Sequence, residues 1–167
     1  AAGTRVIRHP ARKDQTDLEL ALDLALAEGA KDILILGALG GRWDQTLANL
    51  LLLVRSDRWR VSRQATDPKG VLRKVATTNV RIRLFDGAQE ISLLRGPGQL
   101  TLSGEAGDTV SLIPIGGDAR GITTSGLEYP LHGETLIFGS THGISNVMMA
   151  GQAAIALAEG LLVCTVI

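Results

Sequence analysis

The chain has 167 residues, 45% of them hydrophobic, 20% charged and 3% aromatic, with 17 basic against 17 acidic side chains. That length and apolar share suffice for one sizeable domain or two small ones with an ordinary core. No run of about 18 uncharged apolar residues occurs, so no membrane span is expected. The polar opening AAGTRVIRHPARKDQTD lacks the apolar centre of a signal peptide. The single cysteine, Cys164, can make no internal disulfide and predicts a buried thiol in a reducing compartment, hence a soluble cytoplasmic protein.

The zero net charge hides a segregation. Residues 1–54 hold six basic and seven acidic side chains (−1), residues 55–83 nine and two (+7), and residues 84–167 two and eight (−6). A basic stretch can recruit nucleic acid. This one carries only Trp59 as an aromatic and no nucleic-acid motif, so it reads as a solvated connection set against the acidic half or a partner subunit.

In chain order, residues 5–7 (RVI) predict a short strand. Thr16 with Glu19 forms a T-x-x-E capping box that opens the helical run DLELALDLALAEGA, and Gly29 ends it. Next, DILILG is short and wholly apolar, as in a strand covered on both faces. After the glycine loop, Asp44 is a candidate N-cap for a helix over about residues 45–55. Strand, helix, strand, helix predicts a parallel sheet with helical crossovers. Residues 56–79 are a basic connector whose structure the sequence leaves open. Beyond it the character changes. VRIRLF alternates, DG marks a turn and AQEISLL returns as a partner strand. QLTLS, TVSLIPI, ETLIFG and LLVCTVI follow as short runs between Gly, Pro and Asp clusters, as in a β-sandwich or barrel. The expected organisation is therefore a partial parallel three-layer α/β domain over residues 1–79 and an antiparallel β-sandwich over residues 80–167.

Ligands of open α/β sheets sit at the carboxyl ends of strands. Two segments are expected there: KDQTD, and GALGGRWD at residues 37–44. Together they offer Lys13, Asp14, Asp17, Arg42 and Asp44. Carboxylates suit hard cations, arginine forks onto phosphate oxygens, and glycines admit close backbone approach. The loop fits neither the P-loop nor the G-x-G-x-x-G fingerprint. Blander readings stand beside these: Asp44 as a helix cap, Asp17 as a first-turn acid, Arg42 in a surface ion pair, Trp43 as a buried anchor. His9, His132 and His142 are scattered, and no zinc spacing occurs. In the second half, GSTHGISN offers Ser145 and Asn146 for reading a small ring, or is an ordinary turn.

Three segments resemble one family in the same order: KDQTDLELAL, LGALGGRWDQTLANL, and SLIPI…GITTSGLEYPL…LIFGSTHGISN. They are similar to thiamine pyrophosphokinase (thiamine diphosphokinase), over about residue 6 to the end. The resemblance implies an α/β catalytic domain, a β-sandwich thiamine-binding domain and a homodimer with interfacial active sites. It implies transfer of the pyrophosphoryl group of ATP to the thiamine hydroxyl, giving thiamine diphosphate and AMP. By position it implies Asp17 and Asp14 as Mg²⁺ ligands and catalytic acids, and Asp44 and Gln45 as residues beside the transferred group. Gly40, Gly41 and Arg42 would contact ATP, and Lys13, Thr16, Ser145 and Asn146 would meet thiamine. Neither nucleic acid nor membrane is an implied partner.

Two departures from the family pattern bear on activity. The family opens with a further segment of about 50–70 residues, room for two βα units, carrying an acidic G-D-x-D-S motif. The sequence here opens at about the third strand, so a fragment with an incomplete metal site is expected, poorly active alone. The competing expectation is a truncated, non-catalytic thiamine-binding module that dimerises. Residues 56–79 also exceed the family's usual link, as a hairpin or helical insertion would.

Overall fold

The computed structural model of the chain describes residues 3, 5–54, 64–66, 72–74 and 80–167. Residues 5–7 form no strand, because no strand among the described residues lies beside them to pair with. Arg5 instead reaches Glu28 in an ion pair. Helix α1 spans Asp17–Ala27, and Thr16 is its N-cap, accepting the Glu19 N–H at 3.2 Å. Its end follows from Gly29 in a left-handed conformation (φ 89°). The Gly29 and Ala30 amides turn back onto the Leu26 and Ala25 carbonyls, both at 3.0 Å, in a Schellman closure. Leu18, Leu22 and Leu26, four residues apart, form the buried stripe of α1.

Strand β1 (Asp32–Leu36) follows, then α2 (Trp43–Leu52). Within the connector, β2 (Gln64–Thr66) and β3 (Leu72–Lys74) form an antiparallel pair. The rest of residues 56–79 lies outside the described residues. The second half contains β4 (Arg81–Phe85), β5 (Glu90–Arg95), β6 (Gly98–Ser103), β7 (Thr109–Pro114), β8 (Ala119–Ser125), β9 (His132–Leu136), β10 (Asn146–Val147), β11 (Gln152–Leu157) and β12 (Leu161–Val166). Of these, β8, β10 and β11 have no counterpart among the strands read from sequence. ARGITTS lacks a clear apolar alternation, yet its ladders to β9 and β11 fix it as a strand.

One six-stranded sheet, ordered β1-β4-β5-β12-β7-β10, runs through both halves, and a four-stranded sheet, β6-β11-β8-β9, faces part of it. The first is mixed: β1 and β4 run parallel, and its other pairings are antiparallel. The architecture is α/β followed by a β-sandwich, as the sequence predicts, with a single parallel pair among the described residues.

Strand alternation builds two cores on opposite faces of the long sheet. Ile82, Leu84, Ile91 and Val163 point toward Leu22, Leu26 and Leu53 on the helical side. Their neighbours Leu94, Leu162 and Cys164 point into the sandwich, against Leu102, Ile122, Leu136 and Ile155. A central strand covered on both faces explains why LLVCTVI is apolar at nearly every position.

Candidate active site

Parallel pairing of β1 with β4, in register from Asp32↔Arg81 to Leu36↔Phe85, sets both carboxyl ends at one edge of the sheet. The loop after β1 (residues 37–42) and the turn after β4 (residues 86–89) therefore lie side by side. This is where ligands bind in such sheets.

Gly40 (φ +117°) and Gly41 (φ +38°) both adopt positive φ, and a Cβ on either would meet nothing within 4 Å. Their requirement is backbone conformation, and the face they present is open. Helix α2 holds this loop from behind. The Thr46 hydroxyl accepts the Gly40 N–H at 3.1 Å and donates to the Gly40 carbonyl at 3.0 Å. Asn49 Nδ2 donates to the Ala38 carbonyl at 2.7 Å. Neither clasp is foreseen in the sequence, because each joins a helix side chain to loop backbone six or eleven residues earlier.

Asp44 is not the N-cap of α2. Arg42 is, with no side-chain cap, and Asp44 sits in the first turn. The Asp44 carboxylate is engaged by the Arg42 side chain: Nε donates to Oδ1 at 3.1 Å, and a terminal nitrogen reaches Oδ2. The paired carboxylate raises the Arg42 pKa, and the guanidinium hydrogen bond lowers that of Asp44. Both side chains are about two-thirds exposed, at 69% and 67%. Solvation weakens such a pair, so phosphate oxygens can compete for the fork. Gln45 is exposed beside it. Trp43, expected as a buried anchor, is 75% exposed; it opens α2, a helix whose apolar residues nearest the core, Leu50 and Leu52, are only partly buried.

A cleft of ≈ 500 Å³ opens at this edge. Leu39, Trp43, Leu50 and Ile91 wall it, Gly40, Gly41 and Thr46 form one rim, and Asp86 and Gln89 form another. Asp86 and Gln89 are the residues that the sequence reading missed. DG reads only as a hairpin turn, and nothing local announces that β4 lies parallel to β1.

KDQTD is organised around the start of α1. Lys13 Nζ lies 2.6 Å from Asp17 Oδ1, and that hydrogen bond lowers the Asp17 pKa. Asp14 is exposed and the Thr16 hydroxyl serves its cap. Gln15 Nε2 ties the segment to Asp23 at 3.0 Å. Asp17 lines a different cleft, with Arg5, His9 and Leu20, so it and the glycine rim do not share one. Among the described residues no group of three His, Cys, Asp or Glu side chains could hold a metal.

The GISN segment is built differently. Ser145 has φ 61°, rare for a side-chain-bearing residue, and its N–H donates to Ser111 Oγ at 3.1 Å. Asn146 Oδ1 accepts from Tyr129 N (3.1 Å) and Val147 N (2.8 Å), while Nδ2 donates to the Tyr129 carbonyl at 2.7 Å. Its amide clamps the YPL loop onto β10. Tyr129, Phe138, Ile144 and Met149 stand exposed around it.

A glycine loop and arginine at the carboxyl edge of a parallel strand pair, on a sheet shared with a β-sandwich, place the chain among two-part α/β–β-sandwich proteins. Two family models match it in order: "Thiamin pyrophosphokinase, catalytic domain" over residues 1–63, and "Thiamin pyrophosphokinase, vitamin B1 binding domain" over residues 99–162. The chain belongs to the thiamin pyrophosphokinase family. It is 35% identical over 156 residues to thiamine pyrophosphokinase of Bacillus subtilis, covering 93% of this chain and 64% of that protein. It is 30% identical over 153 residues to thiamine pyrophosphokinase 2 of Arabidopsis thaliana, covering 87% and 50%. The crystal structure of the Bacillus subtilis protein superposes with a TM-score of 0.76 at 32% identity, over 93% of this chain and 64% of that one. That from Geobacillus thermodenitrificans gives 0.72 at 30% identity, over 94% and 63%. The chain thus spans less than two thirds of the length of these relatives.

Proposed function

We propose that the chain is the nucleotide-edge and thiamine-binding portion of a thiamine pyrophosphokinase, the enzyme that transfers the pyrophosphoryl group of ATP to the thiamine hydroxyl. The observation that carries this reading is the open Gly40–Gly41 turn with Arg42 at the carboxyl edge of β1, on the same sheet as a half that matches the vitamin B1 binding domain. In the reaction the hydroxyl oxygen of thiamine attacks the β-phosphorus of ATP. The bond from that phosphorus to the α-phosphate oxygen breaks, and AMP leaves with that oxygen. The hydroxyl proton passes to a base or solvent. Such transfer depends on positioning and on neutralising charge.

Gly40 and Gly41 leave room for the phosphates, and Arg42 exchanges its Asp44 partner for phosphate oxygens. Freed in that exchange, Asp44 stands with Gln45 beside the transferred group. Lys13 and Thr16 meet substrate from the α1 side. Ser145, held by Ser111, contacts thiamine, and Asn146 fixes the loop that surrounds it. Magnesium takes one or two carboxylates plus phosphate oxygens and water. Asp17 and Asp14 would be its carboxylates, on the α1 side and in a cleft apart from the glycine rim, and bound Mg²⁺ would supply positive charge against the phosphates. A homodimer with interfacial sites accounts for the exposed Tyr129, Phe138, Ile144 and Met149. The buried Cys164 thiol suits the reducing cytoplasm.

The test is incubation with ATP, Mg²⁺ and thiamine and measurement of AMP and thiamine diphosphate, for this chain and for a full-length relative. Product from the relative and much less from this chain is expected. Equal turnover by both would contradict the reading of a poorly active portion. A second reading, thiamine binding without transfer, rests on the intact GISN clamp. Calorimetry with thiamine alone distinguishes it, and absence of binding removes it.

A further inference from the structure

The GISN segment contains a backbone irregularity that its hydrogen bonds define. Asn146 opposes Val110 in the β10–β7 ladder, and two residues further along β7 the Leu112 N–H donates to the Gly143 carbonyl at 2.8 Å. Three steps along GISN therefore match two along β7, so Ile144 and Ser145 together oppose Ser111. That is a β-bulge, which bends a strand and re-aims a side chain. The left-handed position of a bulge commonly belongs to glycine, yet here it is Ser145 at φ 61°. Glycine would adopt this conformation freely, whereas serine adds a hydroxyl at a conformational cost. Ser111 holds the strained residue. It is buried, with Thr165 of β12 opposite it on the other side, and its Oγ accepts the Ser145 N–H at 3.1 Å. Asn146 has spent its amide: Oδ1 accepts two backbone N–H groups and Nδ2 donates to the Tyr129 carbonyl. Ser145 is exposed, the outward point of a segment otherwise bonded to itself.

We infer that Ser111 is a positioning residue: its buried hydroxyl holds the bulge in the left-handed conformation that presents the Ser145 hydroxyl, in one fixed place, to thiamine. The inference rests on the reading of the GISN segment as the thiamine side of the site. Ser111 touches no ligand and acts only through Ser145. With the N–H pinned and φ set, the direction of Cβ is set as well, and the hydroxyl is carried to one position. A hydroxyl both donates and accepts, so a fixed one can read the polar edge of a small ring. Without the Ser111 acceptor, the Ser145 N–H loses its partner. The residue then relaxes toward the negative φ that side chains prefer, and its hydroxyl swings away.

The experiment is a double-mutant cycle read by calorimetry of thiamine on the full 167-residue chain, with urea unfolding of every member. Ser145→Gly removes the hydroxyl but keeps the N–H and the conformation. It weakens thiamine binding roughly tenfold, with little change in the urea midpoint. Ser111→Ala leaves the Ser145 hydroxyl in the chain but unaimed, and weakens binding about fivefold. The two changes together weaken it no more than Ser145→Gly alone, because glycine needs no help at positive φ and carries no hydroxyl to aim. A Ser111 that merely supports the fold gives the opposite result, its loss multiplying that of Ser145→Gly. Multiplying losses therefore overturn the inference, as does unchanged thiamine affinity in either single variant. In those cases binding by the native chain leaves the thiamine reading standing. A native chain that binds no thiamine removes that reading and the inference with it.

Discussion

The loop after β1 and the GISN segment share a vocabulary of Gly, small polar residues and a single amide or guanidinium, yet they are built in opposite ways. The first is open: Gly40 and Gly41 have empty space where a side chain would go, and Arg42 is occupied only by a solvated neighbour. The second is closed. A Cβ on Gly143 would lie 2.2 Å from the Leu112 carbonyl oxygen, and the Asn146 amide bonds the backbone of its own surroundings three times. A loop that waits for charge is cheap to change in stability and costly in binding, and a loop that is already satisfied behaves the other way round.

The largest expected effect tests the closed side. Gly143→Ala forces backbone apart where Gly143 also accepts the Leu112 N–H at 2.8 Å. A loss of roughly 1–3 kcal/mol or more is expected in urea unfolding, as for overpacking of a tight site. A stability equal to the native chain's would show that the segment is loose. Asn146→Ala comes next, at about 1–3 kcal/mol, because the Tyr129 amide and carbonyl lose their partner. Amide exchange that speeds up at Tyr129 and Val147, but not across α1, checks that the damage is local. Asn146→Asp should retain part of the loss, since its oxygens still accept both N–H groups.

On the open side, Arg42→Ala should change stability by no more than about 0.5 kcal/mol. It should still weaken binding of inorganic triphosphate several-fold, more so at low salt than at high salt. A large drop in melting temperature would move Arg42 to the closed class. The smallest effect is one of pH. The Asp86 carboxyl lies below its ordinary value because the Gln89 side chain and two backbone N–H groups bond its ionised form. Its contribution is thus fully present above the unfolded value of about 3.9 and is lost as pH falls through the depressed folded value. Amide exchange at Ala88 and Gln89 should stay slow down to about pH 4 and quicken below it, and Asp86→Asn should flatten that dependence.

Local chemistry fixed a good deal of this molecule. The Thr16 cap, the Gly29 stop, β1, α2 and the β4–β5 turn all follow from short-range preferences that residues carry wherever they sit. The glycine rim and Arg42 were legible for the same reason, because a Gly-rich turn between an apolar strand and a helix constrains backbone conformation locally. Residues 5–7 show the limit: an extended segment becomes a strand only when another strand lies beside it. Helix α2 shows a second limit, since it starts two residues before the Asp44 capping preference suggests and leaves Trp43 in solvent. Only the tertiary structure could decide that β4 lies parallel to β1, because that pairing joins residues about fifty apart and leaves no local trace. That register sets the turn holding Asp86 and Gln89 beside the glycine rim, and turns two unremarked hairpin residues into the far wall of a cleft.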